Sequence, residues 1–213
     1  MTVRRIDGYD DPRFSAEVLR QHGAFETEDG VPCAVLVTGL RTATVDAPEE
    51  ALDALIEECR FFAEHITVFE DAAGRVLRAF PEVALFRVRL DDLQPSQFFV
   101  DEEKLAAVST FVRAPEDVVI PVVPDGERWI SCDGHTRLYA ARLLGFEEVM
   151  AFLCEDPGDA IHDFARMARE RGIRRSADLK RLSHADYAVR WNRFCDDYFA
   201  SRSPSAGERE ISP

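Results

Sequence analysis

The sequence has no paired cysteines, no long apolar run and no surplus of positive charge. Its five cysteines, Cys33, Cys59, Cys132, Cys154 and Cys195, stand far apart with no C-x-x-C pair. That spacing indicates neither a zinc site nor a disulfide framework, and the odd count suits a reducing compartment. The text from Met1-Thr2-Val3-Arg4-Arg5 onward stays polar and lacks the apolar core of a secretory signal, and no stretch approaches a membrane span. A cytoplasmic protein without membrane association is expected. The 26 Lys and Arg stand against 40 Asp and Glu, a formal net charge of -14. This opposes the attraction on which non-specific nucleic-acid binding rests, so nucleic acid is a disfavoured partner. No internal repeat is visible.

What is present, 46% hydrophobic and 31% charged residues over 213 positions, allows a sizeable core in one domain or two small ones. Residues 1–25 are polar and predict a loop and a short helix around 16–21, stopped by Gly23. Residues 33–40 have the β-branched content of a strand. Behind Pro48-Glu49-Glu50, the residues Leu52, Leu55, Ile56, Cys59 and Phe62 recur at helical spacing over 49–65. Two short strands, 67–69 and 75–80, flank Asp71-Ala72-Ala73-Gly74 as a hairpin. Together these predict a small α/β unit over residues 1–80.

The pattern restarts after Pro81. Residues 84–90 alternate as a strand, and Leu93-Gln94-Pro95-Ser96-Gln97 reads as a polar connection. Asp101 or Glu102 opens a helix with Leu105, Val108 and Phe111 on one face. Residues 118–123 predict a short buried strand, Asp125-Gly126 a hairpin turn, and 128–132 the partner strand. Asp133-Gly134 ends that strand, a helix follows over 136–144 with Gly145 as its stop, and 148–153 returns as a strand. These elements predict a second unit over 81–155. In 156–200, Ile161, Phe164, Ala165 and Ala168 share a face, and Tyr187, Trp191, Phe194, Cys195 and Tyr198 recur at three- or four-residue spacing. This predicts helices capping the central unit. Arg166, Arg169, Arg171, Arg174, Arg175, Lys180 and Arg181 read as a solvated face, and the Ser-, Pro- and Glu-rich tail 201–213 as disordered. The fold class expected is α+β.

The informative junction is Asp133-Gly134-His135-Thr136-Arg137. A helix N-terminus presents unpaired N–H groups and the positive end of the peptide dipoles, so a Gly turn aiming it at a ligand favours phosphate. Thr136 adds a hydroxyl and Arg137 a planar fork of donors. Asp133 beside a phosphate repels it unless a cation lies between them or the carboxylate handles a proton. On turn chemistry alone a plainer alternative stands: Asp133 caps the helix and Arg137 is a surface residue. His22, His65, His162 and His184 are too scattered to argue a metal site and read as structural or surface residues.

The order strand, Leu93-x-Pro95, helix, Ile120-Pro121-Val122, Asp125-Gly126, strand, Asp133 to Arg137, helix with Ala140-Ala141, Leu144-Gly145, strand resembles the ParB N-terminal and sulfiredoxin superfamily. The resemblance covers about 70 residues, 83–153, and implies a small mixed sheet with helices and a phosphate-binding turn at the motif. Sulfiredoxins carry G-C-H-R there, with the catalytic cysteine where this chain has His135, so their activity is disfavoured. Partitioning ParB proteins carry G-E-R-R, bind CTP and add a DNA-binding helix-turn-helix; the acidic, aromatic helices here disfavour that role, and a ParB-like nuclease conflicts with the net charge. The free serine kinases carry D-G-H-H-R and phosphorylate L-serine with ATP or ADP and Mg²⁺.

By that nearest resemblance Gly134, His135, Thr136 and Arg137 would hold the phosphates, while Asp133 would act near the metal or the hydroxyl. Where those kinases carry P-x-E, this chain has Pro95-Ser96-Gln97, and glutamine cannot take a proton. A base would then come from Glu102, Glu103 or Asp133. His135 is expected to contact phosphate through its ring nitrogens. Two functions follow: a nucleotide-dependent kinase of a small hydroxyl metabolite, or a non-catalytic nucleotide- or phosphometabolite-binding module meeting a protein partner through residues 1–80.

Overall fold

The computed structural model describes residues 2–202 except 156 and 159, and also leaves the Phe62 side chain undescribed. Most of the tail expected to be disordered lies outside this range. The first sheet has six strands in sequential order: β1 (Val3–Arg5), β2 (Ala24–Thr27), β3 (Pro32–Val37), β4 (Thr42–Asp46), β5 (Val68–Glu70) and β6 (Val76–Ala79). Neighbours are antiparallel except β4 and β5, which run parallel because helix α2 (Glu49–Phe62) crosses between them. The α2 side chains Ala51, Leu52, Leu55 and Ile56 pack on Val35, Val45 and Phe69 of the sheet, supplying the cover its apolar stripe requires. A short helix, α1 (Ala16–Arg20), is capped by Ser15 and buries Val18 and Leu19 under β2 and β3.

The second sheet has five strands, β7 (Phe86–Arg89), β8 (Leu93–Pro95), β10 (Val119–Asp125), β11 (Arg128–Ser131) and β12 (Glu148–Leu153), in the order β7-β12-β10-β11-β8. Central β10 is antiparallel to β11 and parallel to β12, and β8 joins the edge parallel to β11. A pair of short parallel strands, β9 (Phe99–Asp101) and β13 (Lys180–Leu182), stands beside it. Helices α3 (Glu102–Val108), α4 (His135–Leu143) and α5 (Ala160–Glu170) contribute Leu105, Leu138 and Phe164 to the core of this sheet.

Several short strands exceed what sequence periodicity indicated. β1, β2 and β4 are too short for a clear period, and β8 replaces the polar connection expected at Leu93-Gln94-Pro95. Gln94 reads as exposed yet is fully buried: its Nε2 donates to the Ile173 carbonyl at 2.9 Å, and its Oε1 accepts from Arg169 Nε at 3.3 Å. Those partners arrive from 75 or more residues away. The helix expected from Thr136 begins one residue earlier, at His135.

The C-terminal segment is a distinct helical one, α6 (His184–Tyr187) continuing through a π turn at Ala188–Asn192 into α7 (Arg193–Arg202). Its aromatic stripe is core, as its spacing indicates: Trp191 stands edge-on to Phe98 at 5.0 Å between centroids, and Tyr198 lies 4.6 Å from Phe164. Several basic positions have protein partners, Arg166 with Glu170 on its own helix, Arg169 with Asp125 and Arg171 over the Phe98 ring. Among the described residues no helix is long and apolar enough to cross a membrane, and none of the five cysteines forms a disulfide.

Asp101 joins this segment to the central unit. Its buried carboxylate caps α3 through the Glu103 N–H at 2.9 Å and accepts from His184 Nδ1 at 2.7 Å, which raises the His184 pKa. A raised histidine pKa stabilises fully below its ordinary value of 6.5 and loses that effect as pH climbs through the folded value. Asp101→Ala is expected to cost roughly 1–3 kcal/mol in urea unfolding at pH 6 and to abolish the part of the stability decline above pH 6.5 that comes from His184.

Candidate functional site

The parallel pairing of β8 with β11 sets Pro95 opposite Ser131, so both chains leave the sheet at one edge. Ser96 follows one strand, and Cys132, Asp133, Gly134 and His135 follow the other. There the Ser96 N–H donates to His135 Nε2 at 3.1 Å, the Ser96 hydroxyl donates to the Ser131 carbonyl at 2.8 Å, and Ser131 Oγ lies 3.2 Å from the same Nε2. An acceptor Nε2 places the ring proton on Nδ1 and keeps the imidazole neutral. Burial lowers the His135 pKa to about 4, with the charge of Asp133 only partly opposing it. His135, 4% exposed, uses Nε2 to hold Ser96 against the turn, so that nitrogen does not donate to a phosphate in this arrangement.

Gly134 is the N-cap of α4 with φ +77°, and no side chain caps the helix. A Cβ there would stand 2.5 Å from Ile120 Cδ1 and 3.1 Å from an Arg137 guanidinium nitrogen, so the turn needs glycine for space as well as conformation. Arg137 folds back over it, donating to the Val119 carbonyl at 3.0 Å, and its Nη2 is 3.7 Å from Asp133 Oδ2. The plainer sequence alternative fails on both counts. Asp133 does not cap the helix, and the Arg137 side chain is only 22% exposed, not a surface one.

These residues line one end of a cavity of about 680 Å³. The lining also includes Val35 and Val37 of β3 and, from connections in the first unit, His22, Leu40 and His65. Four cations in the lining, Arg5, Lys104, Arg113 and Arg137, meet four carboxylates, Glu17, Glu116, Asp117 and Asp133. The lining is therefore charge-balanced in a chain whose formal charge is -14, with Arg137 beside Asp133. Gln97 also reaches the lining, but its amide donates to the Phe99 carbonyl and to Tyr187 Oη at 3.2 Å. Asp133 is half exposed at the mouth of the turn, and Thr136 is half-buried beside it.

The remaining expectations fall outside the cavity. Glu102 points to Arg181 at 3.8 Å and Glu103 to His184 at 3.9 Å, and neither lines the cavity. Pro95 and Ser96 are buried and structural. His22 and His65, read from sequence as structural or surface residues, converge on the cavity together with His135. His22 holds φ at +56°, strained for a side-chain-bearing residue, and its Nε2 meets Tyr9 Oη at 2.8 Å. No sequence signal announces this convergence, because the three lie on unrelated elements. Among the described residues, no group of three or more His, Cys, Asp or Glu is placed to hold a metal ion.

No protein-family model matches the chain, and no curated protein matches it. Among solved structures, protein Atu1540 from Agrobacterium tumefaciens aligns with TM-score 0.32 and 19% identity over 47% of this chain. The chain spans 63% of that one's length, and a likeness this low carries no argument.

Gly134→Ala is expected to lose roughly 2–4 kcal/mol in denaturant unfolding, from overpacking and the left-handed φ together. Stability should also fall as pH drops from 6.5 towards 4, because unfolded histidines take protons there that buried His135, His22 and His65 refuse. Thermal melts across that window should show a shallower fall in His135→Gln, which keeps an acceptor for Ser96 but does not titrate.

Proposed function

We propose that this chain is a nucleotide- or phosphometabolite-binding protein whose second unit is of the ParB/sulfiredoxin type. The observation that carries the reading is the uncapped N-terminus of α4 at left-handed Gly134, with Arg137 folded over it, opening into a nucleotide-sized cavity. Phosphate oxygens would meet the first N–H groups of α4, the Thr136 hydroxyl and Arg137. Of the carboxylates considered as a base, Asp133 lines the cavity while Glu102 and Glu103 do not, and the remaining motif residues give little support to proton transfer. Gln97 is an amide engaged with Tyr187, Glu102 lies outside the cavity, and His135 is a neutral acceptor bound to Ser96. Binding without turnover is therefore the better account.

One observation keeps the phosphotransferase reading as the second. The Asp133 carboxylate is half exposed on the cavity beside the turn, where it can take a proton from a small hydroxyl substrate such as serine or share a Mg²⁺ with nucleotide oxygens. With no three-residue ligand group among the described residues, such an ion would arrive on the phosphates of ATP or ADP. Chemistry at such a centre rests on positioning and charge neutralisation.

Calorimetric titration of ATP and ADP with Mg²⁺ is expected to show saturable binding that weakens by about tenfold or more in Arg137→Ala. Phosphorus NMR of the same mixture with serine should show no new phosphoester. A phosphoserine signal that vanishes in Asp133→Asn would replace the binding reading with the kinase one.

A further inference from the structure

Gln97 stands where the family resemblance implies a carboxylate, and the fold gives its amide one defined orientation. The Phe99 carbonyl can only accept, so the amide nitrogen faces it, and that nitrogen also donates to Tyr187 Oη at 3.2 Å. The amide donors are thereby used within the chain. The amide oxygen is not: Gln97 Oε1 makes no hydrogen bond among the described residues. Nor is it closed off, since the side-chain atoms that are both unpartnered and shut from solvent belong to Arg60, His65, Arg142 and Ser176. Gln97 and Tyr187 both line the cavity. The preceding residue, Ser96, is bonded to His135, which sets this acceptor beside the Gly134 turn.

Charges in the same lining limit what can meet that oxygen. Lys104 Nζ stands 5.4 Å from the centre of the Tyr187 ring, and Asp133 is half exposed on the cavity. Burial first, and then the charges of Asp101 and Asp133 among others, raise the Tyr187 pKa, so the phenol stays neutral. Lys104 disfavours an ammonium beside Tyr187, and Asp133 disfavours a second anion; a neutral donor meets neither repulsion.

We propose that Gln97 selects a phosphate ester that carries a free hydroxyl, a sugar or polyol phosphate: the hydroxyl donates to Gln97 Oε1 while the phosphate lies at Gly134 and Arg137. This rests on the phosphate-binding reading above and names the class of metabolite. A fixed acceptor that holds a ligand hydroxyl rejects the analogue lacking it, because the acceptor is then left unpaired. Where the resemblance implies a base, glutamine keeps the acceptor and gives up proton transfer.

The test is calorimetric titration of the full chain with glycerol 3-phosphate, with propyl phosphate, which has the same carbon chain and no hydroxyl, and with phosphoethanolamine. Wild type is expected to bind glycerol 3-phosphate about fivefold or more tightly than propyl phosphate, and phosphoethanolamine no more tightly than propyl phosphate. Gln97→Met, of similar length and without the amide, should bring glycerol 3-phosphate and propyl phosphate within about twofold of each other and leave propyl phosphate within about twofold of wild type. If Gln97→Met melts well below wild type, Tyr187→Phe carries the comparison: it keeps Oε1 but releases the amide that aims it, and should cut the preference to about half or less. The proposal is overturned if wild type binds the two esters equally, if phosphoethanolamine binds more tightly than glycerol 3-phosphate, or if the preference survives both variants. Absence of binding by any of these esters, or binding unchanged in Arg137→Ala, would instead overturn the phosphate site beneath it.

Discussion

The site depends on one hydrogen bond, from the Ser96 backbone to the Nε2 of a neutral His135. It joins two strand ends that parallel pairing has already brought level, Pro95 on β8 and Ser131 on β11. Because Nε2 must accept, the imidazole stays neutral, and burial supports the same protonation state. His135 thereby fixes the first residue of α4, the direction of its N-terminus and the strand end carrying Ser96 and Gln97. A residue that looks like a phosphate ligand in the motif serves to hold the motif in place.

Around that anchor, the turn is closed by neighbouring side chains. Gly134 allows Ile120 and the Arg137 guanidinium to close over the turn, since a Cβ would overlap Ile120 Cδ1 and press on the guanidinium. Arg137 is held by the Val119 carbonyl and not extended into water. Its charge is thus presented in fixed position at low entropic cost, which is how a planar fork selects phosphate oxygens. The lining also draws on the first unit, whose His22 and His65 are kept neutral by burial. Two units with separate cores therefore meet over a shared cavity, and Arg41 of the first donates to the Val83 carbonyl in the connection at 2.7 Å.

Local features were legible. The α2 stripe, the Asp71 hairpin, the β10–β11 hairpin and the Gly134 turn each follow from residues within a few positions of one another. The aromatic stripe from Tyr187 to Tyr198 was legible as core because helical period alone selects a buried face. Strand β8 was not, because buried Gln94 looks like a surface residue until Ile173 and Arg169 supply its partners. The candidate base Glu102 was misplaced for the same reason: its distance from the cavity is set by the pairing of β9 with β13.

By itself the sequence determined the longer helices, the two hairpins, the net negative charge and the position of the Asp133–Arg137 turn, since propensity, periodicity and glycine stereochemistry act over a few residues. Only the tertiary structure decided which groups face the turn. His22, His65 and His135 belong to separate parts of the chain, and all three line one cavity only in the folded molecule. Protonation was decided there too: a histidine's charge depends on desolvation and neighbouring dipoles, and both are properties of the folded chain.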